Sequence, residues 1–241
     1  MIQVRSLEGL RSYQEIRELQ LSLIDQRAQD QIPDTLLFLE HSPVITQGRG
    51  LQFTGVSNTL RHMPRPQNLP KGIEFSESER GGDLTYHGPG QLVMYPLFKL
   101  DGNGFAPNRD VAEFLRKLER VVLNVLARMG LSAHVRPHAT GVWIGDQKIA
   151  SIGIAIRKWV SYHGIALNCV NDLTPFQLIS PCGFSPDVMT RLADWMPMDS
   201  LTWRSELEEL VPKEFEKAEF EMAEFELIDF KGKNRLEHIR D

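Results

Sequence analysis

Two residues in this chain have the types and settings for nucleophilic chemistry. Cys182 lies in the turn-like stretch SPCGF, and Lys148 opens the apolar run KIASIGIAI. Cysteine attacks as the thiolate, and a free thiol with a pKa of about 8.5 is only a few per cent ionised near neutrality, so it needs a cation or a base beside it. A lysine held over an apolar sheet has a lowered pKa and can act as that base; a lysine at a solvated strand edge does neither. The other cysteine, Cys169, ends the apolar stretch HGIALNC, where a thiol is buried and inert. The proline-glycine turn raises Cys182 above Cys169. The residues alone leave open whether Cys182 and Lys148 meet, or are ordinary loop and strand.

The densest stretch of functional types is RGGDLTYHGPGQ, Arg80 to Gln91. It holds four glycines and a proline within twelve residues, together with Arg80, Asp83, Thr85, Tyr86 and His87. Glycine allows backbone shapes and close approaches denied to other residues, so such a loop can present amides to a ligand. A tight surface turn has the same composition. The phosphate-binding pattern GxxxxGK[ST] and the dinucleotide pattern GxGxxG are absent, and so is HExxH. His134 and His138 are four apart, but Pro137 between them argues against two ligands on one helical face. No metal and no cofactor are expected.

The elements that must position these residues form a mixed α/β pattern. LRSYQEIRELQLSLIDQRAQ carries Leu10, Tyr13, Ile16, Leu19 and Leu23 at helical spacing. TLLFLE reads as a buried strand, HSPVITQGRG as a loop, and the proline-rich stretch from Arg61 to Gly72 as an irregular connection. QLVMYPLFKL reads as a strand whose Pro96 suits an edge or a bulge. The clearest helix is DVAEFLRKLERVVLNVLARMG. Asp110 and Glu113 have capping-box spacing, Phe114, Leu118, Val122, Val125 and Met129 share a stripe, and Gly130 is a stop. HATGVWIG, QKIASIGIAIR and WVSYHGIALNC, joined by short turns at GDQ and RK, predict an antiparallel meander. DLTPFQLI and PDVMTRLADW read as short helical pieces and LTWRSELEELV as a helix. From Pro212 the chain turns Glu/Phe-rich; Phe215, Ala218, Met222 and Phe225 fit one helical face, and FELIDF fits a strand equally well. The predicted division is a domain over 1–211 and a docked tail over 212–241.

The bounds agree with one globular unit. The chain has 241 residues, of which 41% are hydrophobic, and a net charge of −5 from 27 basic and 32 acidic residues. That balance gives no reason to expect nucleic acid. Two cysteines are too few for a secreted disulfide framework, MIQVRSLEGLRSYQEIREL lacks the apolar core of a signal peptide, and no run spans a bilayer. A cytoplasmic protein is expected.

ERGGDLTYHGPGQLVMYP, GVWIGDQKIASIGIAIRKWVSYHGIALN and DLTPFQLISPCGF, in that order, resemble the lipoyl(octanoyl) transferases over most of the chain. The resemblance implies a single α/β domain similar to the biotin and lipoate ligases, with a mixed sheet flanked by helices. It implies transfer of an octanoyl group from octanoyl-acyl carrier protein to a lysine of apo lipoyl domains, those of 2-oxoacid dehydrogenases and of the glycine cleavage H protein, during lipoate biosynthesis. By the same resemblance Cys182 carries the acyl thioester and Lys148 is its partner. The substrate site is expected from Arg80, Gly81, Gly82, Asp83, Leu84, Thr85, Tyr86 and His87, with Ser151, Ile152, Gly153, Gly164, Ile165 and Ala166 forming the walls beside it. His163 is a possible pocket contact; it and His87 fit structural histidines equally well. No ATP is needed in such an exchange, which fits the missing phosphate loop. A monomer is expected. The rival readings are an ATP-dependent lipoate ligase, an octanoyl amidotransferase between lipoyl proteins, and a non-catalytic module binding acyl carrier protein or lipoyl domains.

Overall fold

The layering follows from strand runs whose two faces are both apolar. In a computed structural model, which describes residues 2–50, 69–137, 139–179 and 186–220, the chain runs β1 (Gln3–Arg11), α1 (Tyr13–Ala28), β2 (Thr35–His41), β3 (Val44–Gly50), β4 (Glu74–Glu77), β5 (Gly82–His87) and β6 (Gln91–Leu97). It continues through α2 (Val111–Arg128), β7 (His134–Arg136), β8 (Ala139–Ile144), β9 (Gln147–Arg157), β10 (Val160–Asn168) and α3 (Trp203–Phe220), with short 3-10 turns between β10 and α3. Leu36, Leu37, Phe38 and Leu39 of β2 are all fully buried. Because side chains alternate across a strand, Leu36 and Phe38 face one helical layer while Leu37 and Leu39 face the other. Phe114, Leu118 and Val125 of α2 and Leu207, Val211 and Phe215 of α3 cover the first face. Ile16, Leu23 and Ile24 of α1 cover the second, against Leu37, Leu39, Val93, Tyr95 and Ala166. A near-continuous apolar run is what a strand covered on both sides requires.

The main sheet has seven strands in the order β1-β2-β6-β10-β9-β8-β7, and a second sheet has the order β4-β3-β5. The predicted meander is present: β8–β9–β10 are antiparallel neighbours. Lys158 (φ +52°) and Trp159 (φ +59°) form the β9–β10 turn, the left-handed pair that matches hairpin twist. The Asp110 carboxylate caps α2, accepting the Glu113 N–H at 2.9 Å, a contact worth about 1 kcal/mol.

The structure corrects four local expectations. Leu10 belongs to β1 and is half exposed; the helix starts only after Ser12, whose hydroxyl accepts the Glu15 N–H. HSPVITQGRG is not a loop, since Val44–Gly50 is the central strand of the small sheet. The glycine-rich stretch likewise becomes strand β5 from Gly82 to His87. Pro96 sits in β6, between β2 and β10, and not on an edge.

Pro96 is tolerated there because the ladder to β10 is broken opposite it. Ile165 pairs with Met94, and the register resumes where the Ser161 N–H reaches Phe98 O at 2.9 Å. In between, His163 takes a left-handed backbone (φ +57°), and its N–H bonds Gln20 Oε1 of α1 at 2.7 Å. The Ser161 hydroxyl donates to Pro96 O at 2.7 Å. At Gly164 a Cβ would stand 2.4 Å from Met94 O and 2.6 Å from Pro96 Cδ, so the strands close only over glycine.

α3 crosses residue 211 without a break, and Val211, Phe215 and Ala218 pack in the main core. Phe215 joins Phe98 and Phe105, with ring centroids 5.6 and 5.1 Å away. Pro212 inside the helix costs about 3 kcal/mol; the burial of Val211 and Phe215 offsets it. Met222, Phe225 and the FELIDF stretch lie outside the described residues.

Candidate acyl-transfer site

Lys148 enters β9 at a distorted point in the β8–β9 ladder. The register shifts between Val142 and Trp143. Gly141, just upstream, has φ +130°, and a Cβ there would stand 2.6 Å from Lys148 Cε and 2.5 Å from Ala150 O. The lysine stem therefore occupies space that only a glycine leaves free. Lys148 is 3% exposed, so it is not a solvated edge residue. Its ammonium donates to Thr140 O at 2.9 Å and stands 5.6 Å from the centroid of the buried Trp143 ring.

Cys182 lies outside the described residues, and so does His138. Beyond the cysteine the chain comes back to Lys148: Met189 pairs with it, and the Thr190 N–H bonds Lys148 O at 3.0 Å. Cys169 is fully buried, its thiol directed at Leu167 O at 3.4 Å. Burial pushes that thiol well above the usual range, which leaves almost no thiolate at neutral pH.

From Lys148 a cleft, partly open to solvent, runs along β9 and β10. The two triplets face each other in register: Ser151 opposite Ala166, Ile152 opposite Ile165, Gly153 opposite Gly164. Gly153 is five residues along the strand from Lys148, or about 17 Å at ~3.4 Å per residue. Arg80, Gly81, Gly82, Leu84, Thr85 and His87 line the cleft from the small sheet. The Gly81 N–H bonds Ile154 O at 2.9 Å and ties this wall to β9. Tyr86 turns into the small-sheet cluster, its ring edge-on to Phe176. Asp83 is buried, and its carbonyl accepts from Arg80 at 2.7 Å. The Arg80 guanidinium also reaches Thr46 O at 2.8 Å and Gly81 O at 3.0 Å, so it shapes the wall by holding backbone carbonyls.

Three buried histidines and two tyrosines sit behind and beside the cleft. Arg11 O can only accept, so His41 Nδ1 carries the proton at 3.0 Å and Nε2 accepts from the Tyr95 hydroxyl at 2.8 Å. Burial drives the His41 pKa down to about 4. The Tyr13 hydroxyl is taken by Ser78 Oγ at 2.7 Å. Both tyrosines line the cleft with their hydroxyls already occupied. His87, held by Gln91 Oε1 at 2.8 Å, is pushed well below the usual range by burial. His163 lines the cleft and stacks on Tyr13 at 6.2 Å. Its Nε2 lies 3.5 Å from Glu79, which Arg17 also pairs. Burial outweighs the carboxylate and lowers the His163 pKa, while His163 and Arg17 hold the Glu79 carboxyl well below its usual range.

Residues 12–216 match the lipoyl protein ligase A/B catalytic domain family. An octanoyltransferase of Dictyoglomus turgidum is 45% identical over 188 residues, covering 77% of this chain and 75% of that protein. One from Klebsiella pneumoniae is 40% identical over 196 residues, covering 81% and 84%. The chain belongs to this lipoyl ligase and octanoyltransferase family. The fold agrees. A bipartite lipoate protein ligase from Thermoplasma acidophilum superposes with a TM-score of 0.59 at 18% identity, covering 90% of this chain and 82% of that one. A lipoate-protein ligase A bound with ATP gives 0.60 at 17%, covering 90% and 84%.

The family motifs account for most of the cleft wall, but they do not include everything beside it. Tyr13 and Tyr95 went unremarked as site residues because each sits on a regular apolar pattern, and His41 because it opens a stretch read as a loop. Glu119 also escaped notice. It is a glutamate on the apolar stripe of α2, between Leu118 and Val122, and it is 1% exposed. A charged residue at a core-facing helical position was the available signal.

Proposed function

We propose that the protein transfers an octanoyl group from octanoyl-acyl carrier protein to a lysine of apo lipoyl domains through a thioester on Cys182. The observation that carries this reading is the buried Lys148 at one end of a strand-walled cleft, in a chain whose relatives at 40–45% identity are octanoyltransferases. Its partners are an acyl carrier protein and lipoyl domains, and it acts as a monomer.

The Cys182 thiolate attacks the donor thioester carbonyl. A new carbon–sulfur bond forms, the old one breaks, and the carrier sulfur leaves as the thiol with a proton from the Lys148 ammonium. The acceptor lysine amine then attacks the acyl-enzyme; an amide forms, and Cys182 departs as thiolate. Lys148 stabilises the Cys182 thiolate as an ammonium, gives that proton to the departing carrier thiol, and as the neutral amine takes a proton from the acceptor lysine when it attacks. The first exchange is near-isoenergetic and the amide makes the second favourable, so no nucleotide is consumed. Support for this pairing comes from the Met189–Lys148 contact, which returns the chain to Lys148 shortly after Cys182. The buried, protonated Cys169 is unsuited to the role. The small side chains of Ser151 and Ala166, paired on the cleft wall, leave room for an unbranched chain. At ~1.2 Å per bond an octanoyl group extends about 8 Å from its carbonyl, within the length of the cleft.

Intact-mass measurement after mixing with octanoyl-acyl carrier protein, without ATP, tests this. One hydroxylamine-labile octanoyl adduct is expected, absent in Cys182→Ser and kept in Cys169→Ser. An adduct on another residue, or a strict need for ATP, would overturn the mechanism.

A further inference from the structure

We propose that Glu119 is a positioning residue for Lys148, acting through the single peptide unit that joins Thr140 to Gly141. This rests on Lys148 having the role proposed above. The two polar ends of that peptide are both engaged, on opposite sides. Its carbonyl, Thr140 O, accepts the Lys148 ammonium at 2.9 Å. Its N–H, on Gly141, donates to Glu119 Oε1 at 3.0 Å. A peptide is planar, with C=O and N–H pointing in opposite directions, so fixing the N–H fixes the direction of the carbonyl. A carboxylate, a peptide dipole and an ammonium thus lie in a hydrogen-bonded line from α2 through β8 to β9, and such chains polarise one another in a buried setting.

Glu119 has few other reasons to be where it is. It is 1% exposed on the face of α2 that otherwise carries Phe114, Leu118 and Val122. An ionised carboxylate in such a place is costly unless partnered. Burial raises its pKa, while the Gly141 N–H, Arg116 and the Lys148 charge favour the ionised form. Arg116, which pairs with the other oxygen, is more than half exposed and could have served a surface glutamate as well. The Gly141 N–H could not, because the peptide it belongs to stands beside the lysine stem. Gly141 has no Cβ to hold the bend open; a Cβ would stand 2.6 Å from Lys148 Cε. The bend at φ +130° is a conformation that side chains rarely adopt. Glu119 is the side-chain contact that fixes it from the helix side.

The test is the pH dependence of Cys182 alkylation by iodoacetamide, measured with steady-state transfer, for the parent, Lys148→Ala, Glu119→Leu and Glu119→Gln. Leucine keeps the volume and removes the acceptor; glutamine keeps an acceptor for the Gly141 N–H. Expected is a thiol pKa in Glu119→Leu raised by about one unit toward that of Lys148→Ala, as loss of a charged hydrogen bond would give. A roughly tenfold lower kcat should accompany it, with KM for the carrier protein little changed and Glu119→Gln restoring most of the parent profile. Should leucine prevent folding, Glu119→Ala takes its place, with thermal melts confirming that each variant is folded. A profile in Lys148→Ala unchanged from the parent would defeat the Cys182–Lys148 reading itself. A shift in Lys148→Ala with none in Glu119→Leu would defeat only the role of Glu119. Equal shifts in the leucine and glutamine variants would overturn positioning through the Gly141 hydrogen bond.

Discussion

At the scale of single residues, the two tyrosines that border the cleft have their hydroxyls committed to other partners. The Tyr95 hydroxyl is committed to His41 Nε2, and the Tyr13 hydroxyl to Ser78, so each ring can border an acyl chain without a buried polar group left unsatisfied. Tyr95→Phe removes the donor to His41 and leaves a buried acceptor without its partner. It should cost about 1–3 kcal/mol in urea unfolding, with the cleft shape retained. An unchanged midpoint would mean that His41 finds another donor. Lys148 shows how far residue types alone carry. Its type and place at the head of an apolar run were readable, and so was its possible role as a base; its burial was not, because that depends on Gly141 and Trp143 from the neighbouring strand.

At the scale of elements, the β9–β10 hairpin is the clearest case of sequence predicting structure. Its two strands and their antiparallel pairing were legible; the turn, read at RK, lies one residue on at Lys158–Trp159, and that position sets Ser151 against Ala166. Ala166→Leu adds bulk to the cleft wall that these strands form. It should reduce kcat/KM for an octanoyl donor by at least tenfold, at ~1–3 kcal/mol per displaced methylene, and reduce that of a butanoyl donor less. Equal losses for both donors would place the acyl chain elsewhere. The small sheet was illegible for a physical reason. Pro43, Gly48 and Gly50 carry turn signals, yet β3 is held by partners distant in sequence, Glu74–Glu77 and Gly82–His87. Pro96 misled in the same way: its place in a central strand depends on the left-handed turn of His163 across from it.

At the scale of the whole molecule, buried neutral histidines make stability sensitive to acid. His41 has a folded-state pKa of about 4 against the ordinary histidine value of about 6.5, so the unfolded chain binds a proton first as the pH falls. Stability is fully present above pH 6.5 and is lost progressively down to about pH 4. His41 alone removes roughly 3 kcal/mol across that window, at ~1.4 kcal/mol per unit. His87 and His163 shift in the same direction. Urea unfolding at pH 7.5 and pH 5 should show the loss, and His41→Gln should flatten part of it. A midpoint independent of pH would contradict the burial of these rings. The α/β class and the paired strands at the cleft were legible from pattern and motif. The junction at residue 211 was drawn from composition, which registers the change to Glu and Phe but not that Phe215 completes a core begun at Phe98.

That last contact has a consequence for synthesis. Phe98, Phe105 and Phe114 leave the ribosome about a hundred residues before Phe215. At ~5–20 residues per second, the apolar face of α2 waits on the order of ten seconds for the helix that covers it. Over that interval the nascent chain lacks the side chain that completes the aromatic cluster of Phe98 and Phe105.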